Sequence, residues 1–162
     1  MVDIQTISIM LASASVFIAA IYYVWQIRHQ TKLRQTDIAV RLFSIYMSDE
    51  FRDALAKVWN LKFDNYEDYV RKYGFMWTSE GEVPKTVSKI CVFFNALGVL
   101  VRRRLIDIGI VADLLWVERS WLKLKPIIEG VRKQYNSPTY HSDFEYLYNE
   151  MKQREQEGVK SG

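Results

Sequence analysis

Ile4 to Ile27, near the start of the chain, is a run of about 24 residues without a single charge, and it constrains everything that follows. Wound as an α-helix at about 1.5 Å per residue it would cover about 36 Å, more than the roughly 30 Å hydrocarbon core of a bilayer. The run is apolar all round, whereas a helix of a soluble domain normally shows a polar face. Tyr22, Tyr23 and Trp25 cluster at one end, where amphipathic rings collect at a lipid–water boundary. Arg28, Lys32 and Arg34 follow at once, while the other flank offers only Asp3 and the amino terminus. The preference of basic residues for the cytoplasmic side predicts a single-pass cell-membrane helix, with the N-terminus outside and the bulk of the chain in the cytoplasm. A cleaved secretory signal would carry positive charge ahead of the apolar run, and there is none. A buried helix of a soluble core is the other alternative, disfavoured by the length and evenness of the run.

Within that segment Ser8, Ala12, Ser15 and Ala19 recur at intervals of four, three and four, a stripe of small side chains that would let two membrane helices approach closely. This makes the chain a candidate homo-oligomer. Arg28, Lys32 and Arg34 form a basic collar suited to lipid headgroups. The expected organisation is an anchor and collar over residues 1–35, a helical domain over 36–155 and a flexible tail over 156–162.

The remainder reads as helix throughout. Only 7 Gly and 3 Pro interrupt 162 residues, and no stretch alternates at period two, so the fold class is all-α: one membrane helix followed by a cytoplasmic helical bundle. The membrane helix should continue unbroken to about Met47. Ser48 can cap a second helix and Asp64 or Asn65 a short third, with Gly74 ending it. Residues 75–83 are the best loop. From Pro84 to about Arg104 a strongly apolar helix carries Val87, Ile90, Cys91, Phe94, Leu97 and Val101 at 3.6-residue rhythm, which marks it as the centre of the domain; its uncharged stretch of about 12 residues is too short to cross a bilayer. Leu105 to Gly109 reads as a turn. A helix or helix pair should follow from Ile110 to Tyr135, kinked or broken at Pro126. A last helix should start at Ser137, with Pro138 in its first position.

Chemistry is harder to find. His29 lies at the membrane boundary, and His141 falls where a solvated first helical turn is expected. With one cysteine, Cys91, they make no recognisable zinc set, and no glycine-rich phosphate loop or hydrolase signature is present. Cys91 reads as a small buried hydrophobe. Asp107, Asp113, Glu118 and Glu129 are the carboxylate candidates for acid–base work, although Asp107 is as well suited to capping a helix. Arg102, Arg103 and Arg104 form the one dense basic cluster. They complement a helix C-terminus, and otherwise suit a lipid headgroup; a net charge of +3 disfavours nucleic acid. No cofactor, metal or catalytic residue is implied.

Tyr22-Tyr23-Val24-Trp25-Gln26-Ile27-Arg28-His29-Gln30-Thr31-Lys32, residues 89–108 with Phe93-Phe94, Gly98 and Arg104-Leu105-Ile106-Asp107, residues 126–135, and Phe144 to Met151 together resemble a large uncharacterised prokaryotic family, mainly archaeal, of membrane-anchored proteins. The resemblance implies one N-terminal transmembrane helix and a cytoplasmic helical domain of unknown function. Some related bacterial proteins carry a phage-abortive-infection label. The function expected is a non-enzymatic, membrane-tethered interaction or sensory module with membrane lipid and an unknown protein as partners. The alternatives are a membrane-associated phage-defence effector and a small hydrolase using carboxylates.

Overall fold

The computed structural model describes residues 3–76 and 81–160, the last four of these by backbone alone. The protein is all-α. Among the described residues there are seven helices and no strand: α1 (Ile4–Met47), α2 (Asp49–Trp59), α3 (Tyr66–Tyr73), α4 (Glu82–Arg102), α5 (Ile108–Leu114), α6 (Val117–Gln134) and α7 (Ser142–Lys160). The chain divides into two compact units, Met1–Ile38 and Ala39–Gly162.

Among its described residues the first unit is Asp3 followed by the α1 helix from Ile4 onward. Its large apolar side chains between Ile4 and Ile27 are 48–80% exposed. The Ser8, Ser13 and Ser15 hydroxyls donate to the carbonyls of Ile4, Ile9 and Leu11, each one turn back. The serines thus satisfy themselves within the helix and leave no donor that needs water.

The second unit holds the core. α4 lies at its centre, burying Val87, Ile90, Cys91, Phe94, Leu97 and Val101 as its rhythm predicts. It is long and apolar enough to pass as a membrane span, yet that inward face packs against α2, α6 and α7. α7 lies closest. A Cβ on Gly98 would sit 1.9 Å from the Asp143 carbonyl oxygen, so only glycine allows the two backbones this approach. One turn before Gly98, the Asn95 carboxamide oxygen accepts from the amides of Asp143 and Phe144 and so caps α7 from a neighbouring helix. Phe94 stacks on Phe144 at 4.9 Å, and Trp121 of α6 meets the same ring edge-on.

Local signals set most helix starts. Ser48 accepts from the Phe51 amide, Asn65 from that of Asp68, and Asp107 from that of Gly109. α3 ends at Gly74 with φ +90°. Three boundaries depart from the sequence expectation, the first being the break within residues 110–135, which falls at Leu115 and Trp116 between α5 and α6 rather than at Pro126. α6 runs through Pro126 without a break. The proline removes the donor for the Leu122 carbonyl, but Leu122 is exposed and water can take that place, while Leu124, Ile127, Ile128 and Val131 hold both sides of the position in the core. The last helix begins at Ser142 rather than beside Pro138. Residues 137–141 form successive turns, with the Tyr140 amide bonded to the Ser137 carbonyl and the Ser142 amide to that of Thr139. His141 then takes φ +51°, which no helix interior accommodates.

Candidate functional site

The residues singled out from sequence fall into separate places. Ser8, Ala12, Ser15 and Ala19 are all exposed on the first unit, as are Arg28, Lys32 and Arg34 further along it. Trp25 stacks on His29 there, ring centroids 5.7 Å apart. In the second unit the arginine run is divided among different tasks. Arg102 donates through Nε to Asp143 at 3.0 Å and lies 4.5 Å over the Tyr146 ring, which ties α4 to α7. Arg103 is the exposed C-cap of α4, and Arg104 turns the chain at φ +56°.

A polar knot lies where α6 meets the turn before α7. Arg132 donates through Nε to the Tyr140 carbonyl at 2.8 Å and through Nη1 to Glu145 at 2.7 Å, while its Nη2 is buried without a hydrogen-bond partner. The Tyr140 ring packs 4.0 Å from that of His141. His141 is half-buried, not a solvated first-turn residue, and its buried Nε2 also lacks a partner. Burial, and then the Arg132 charge, push its pKa down to about 4, so the imidazole is neutral at physiological pH. The Tyr69 hydroxyl of α3 is a third buried polar atom without a partner; burial and then the nearness of Cys91 hold it above the usual phenol range. Burial alone pushes the Cys91 thiol up, so it stays protonated and acts as an apolar filler of the core.

A third place is a groove of about 600 Å³ lined by one face of α2 (Asp49, Arg52, Asp53, Ala56, Trp59), the end of α1 (Tyr46, Met47) and the α5–α6 junction (Leu114, Trp116). Trp116 stacks on Trp59 with centroids 5.8 Å apart and planes 21° from parallel. The Trp116 amide donates to the Tyr46 hydroxyl, the Trp59 indole N–H donates to Ser120, and the Arg119 guanidinium lies 4.3 Å over Trp59. Burial, outweighing the Trp116 bond, holds the Tyr46 phenol above its ordinary range.

The family described as Domain of unknown function (DUF4760) matches residues 10–151, most of the chain. This chain belongs to the DUF4760 family. No curated protein and no solved structure matches it. The DUF4760 match opens at Met10, within the apolar part of α1, and closes at Met151 in α7, so it takes in both units. Its carboxylates are spread over unrelated contacts in this member: Asp107 caps α5, Glu118 pairs with Lys152, and Glu129 faces Lys125 one turn away. Among the described residues no three His, Cys, Asp or Glu side chains gather into a group able to hold a metal. The polar knot and the tryptophan groove were invisible to sequence reasoning. The groove is assembled from segments far apart in the chain and the knot closes only across a turn, and the signals present, an isolated Trp116 and a His after an aromatic, are too common to stand out.

Proposed function

We propose that this DUF4760 chain is a non-enzymatic, membrane-tethered interaction module. One helix, residues 4–27, crosses the bilayer; the N-terminal end lies outside and the helical unit faces the cytoplasm. The observation that carries this is a helix long and apolar enough to cross a membrane whose large side chains between Ile4 and Ile27 are 48–80% exposed. Exposing Ile, Leu, Val and Phe at every bearing for six turns is costly in water and favourable in lipid. The serine hydroxyls bonded to carbonyls one turn back suit a medium without water. Inclusion of the helix from Met10 onward in the family match favours a permanent anchor over a leader that is removed.

In this reading Arg28, Lys32 and Arg34 sit at the inner headgroup layer, and Ser8, Ala12, Ser15 and Ala19 offer a face to a second span. Sidedness is tested with single cysteines at Asp3 and Tyr135, the native Cys91 being buried. In intact cells a membrane-impermeant thiol reagent should label Asp3→Cys and not Tyr135→Cys, and permeabilisation should expose the second. Labelling of Tyr135→Cys in intact cells would reverse the topology.

A further inference from the structure

We propose that two copies of this chain associate in parallel and in register along one face of α1, from Gln26 to Val40, with Lys32 of each copy paired to Asp37 of the other. The proposal rests on the membrane-tethered reading, because copies threaded through a bilayer the same way are held parallel.

The register comes first. Gln26, His29, Leu33, Thr36 and Val40 recur at intervals of three and four, the a and d positions of a heptad written abcdefg. α1 is one unbroken helix over these residues. Leu33 and Val40, both at a, are each 58% exposed, so apolar side chains one heptad apart stand open outside the uncharged run. The Thr36 hydroxyl between them donates to the Lys32 carbonyl at 3.0 Å, which leaves the seam no hydroxyl donor to satisfy. Ala39, Leu42 and Tyr46, the α1 residues that meet the core of the second unit, fall at g and c instead. Phe43, the next d residue, is half-buried beside Leu97 and Ile106, so the open seam ends at Val40.

Charge decides the occupant. Five charged residues lie between Arg28 and Arg41. Arg28, Arg34 and Arg41 fall at c and b, on the outer side of such a pair, which leaves the first two to headgroups. The other two flank the seam, Lys32 at g and Asp37 at e of the next heptad, and both are exposed. In a parallel, in-register pair g of one helix faces that e of the other, so each lysine meets an aspartate twice over by symmetry. Asp37 also has an interaction within its own chain, and a carboxylate has acceptor sites for both. An antiparallel neighbour would set lysine against lysine and aspartate against aspartate. The face is thus complementary to a second copy of itself in the one orientation that the tether allows.

Two apolar layers and two exposed ion pairs are too little to join chains from dilute solution. Ser8, Ala12, Ser15 and Ala19 keep the same alternation of four and three, continued through Tyr22 to Gln26. Once two spans lie side by side, the seam therefore closes at the high effective concentration of a linked site.

The test is disulfide cross-linking of the full chain in membranes from expressing cells, oxidised with copper phenanthroline. Leu33→Cys and Thr36→Cys lie on the seam, and Thr31→Cys lies at f, facing away. All three positions are exposed, so none disturbs a core. The parent chain, whose one cysteine is buried, should stay monomeric. Leu33→Cys and Thr36→Cys should give a product of twice the chain mass, and Thr31→Cys little, because a disulfide tolerates only short Cα separations. Beside Leu33→Cys, Lys32→Asp should lower the dimer several-fold, and Lys32→Asp together with Asp37→Lys should restore it. Equal cross-linking at all three positions, none at the two seam positions, a product of any other mass, or no recovery in the double exchange would each overturn the pairing. The same membranes are washed with alkaline carbonate. Variants that stay in the pellet without the heptad pattern would overturn the pairing alone, whereas release of the parent chain would overturn the tether and the pairing with it.

Discussion

His141 occupies a left-handed backbone position beside Arg132 and is neutral in the folded protein. Its folded pKa of about 4 lies below the value of 6.5 for a free imidazole. Above pH 7 neither folded nor unfolded chain binds the proton, so the residue has no pH-dependent effect. Between pH 6.5 and 4 the unfolded chain takes up a proton that the folded one refuses, and stability falls as pH falls. The loss should approach about 3 kcal/mol at most by pH 4, from the 2.5-unit difference. His141→Asn keeps a residue tolerant of positive φ and removes the titration. Denaturant unfolding at pH 7 and at pH 4.5 should show a smaller loss in the variant than in the parent; equal losses would mean that His141 does not titrate as its surroundings require. None of this was legible in sequence, because Arg132 meets its partners across a turn, eight and thirteen residues away. A short-range motif cannot encode a contact that exists only once the turn has formed.

At the scale of elements the sequence was far more informative. Ser48, Asn65 and Asp107 cap their helices through side-chain oxygens, as short polar residues ahead of an apolar rhythm should. The inward positions of α4 follow its 3.6-residue spacing. Pro126 and Pro138 misled, for different reasons. α6 is held by burial on both sides of its proline, and α7 takes its cap from Asn95, a residue of another helix. Propensity describes a segment alone, and these two boundaries are set by what the segment packs against. The α4–α7 contact gives a sharp test. Gly98→Ala would drive a methyl group into the Asp143 backbone, which cannot rotate aside. The helices must separate, and unfolding should become easier by about 3 kcal/mol, the upper end of the range for overpacked sites. A change below about 0.5 kcal/mol, the size typical of surface substitutions, would mean that the two backbones do not lie this close.

For the whole molecule the dominant physical fact is the contrast between its two units. One buries its apolar side chains in a common core; the other leaves them exposed along the helix. Each fully buried aliphatic side chain contributes roughly 1.5–3 kcal/mol relative to exposure in water, so a run of this length has a strong preference for a non-aqueous environment. The uncharged run was legible from the first line of the sequence because membrane spanning needs only length and composition, without partners from elsewhere in the chain. The groove was hidden for the opposite reason, since Trp59 and Trp116 meet only when the second unit has folded. The most direct test of the tether is extraction of membranes carrying the full chain with alkaline sodium carbonate, followed by sedimentation and an intact-mass measurement. The protein should remain in the pellet at full length and enter solution only with detergent. Release into the supernatant without detergent, or loss of the first 27 residues, would contradict a permanent transmembrane anchor.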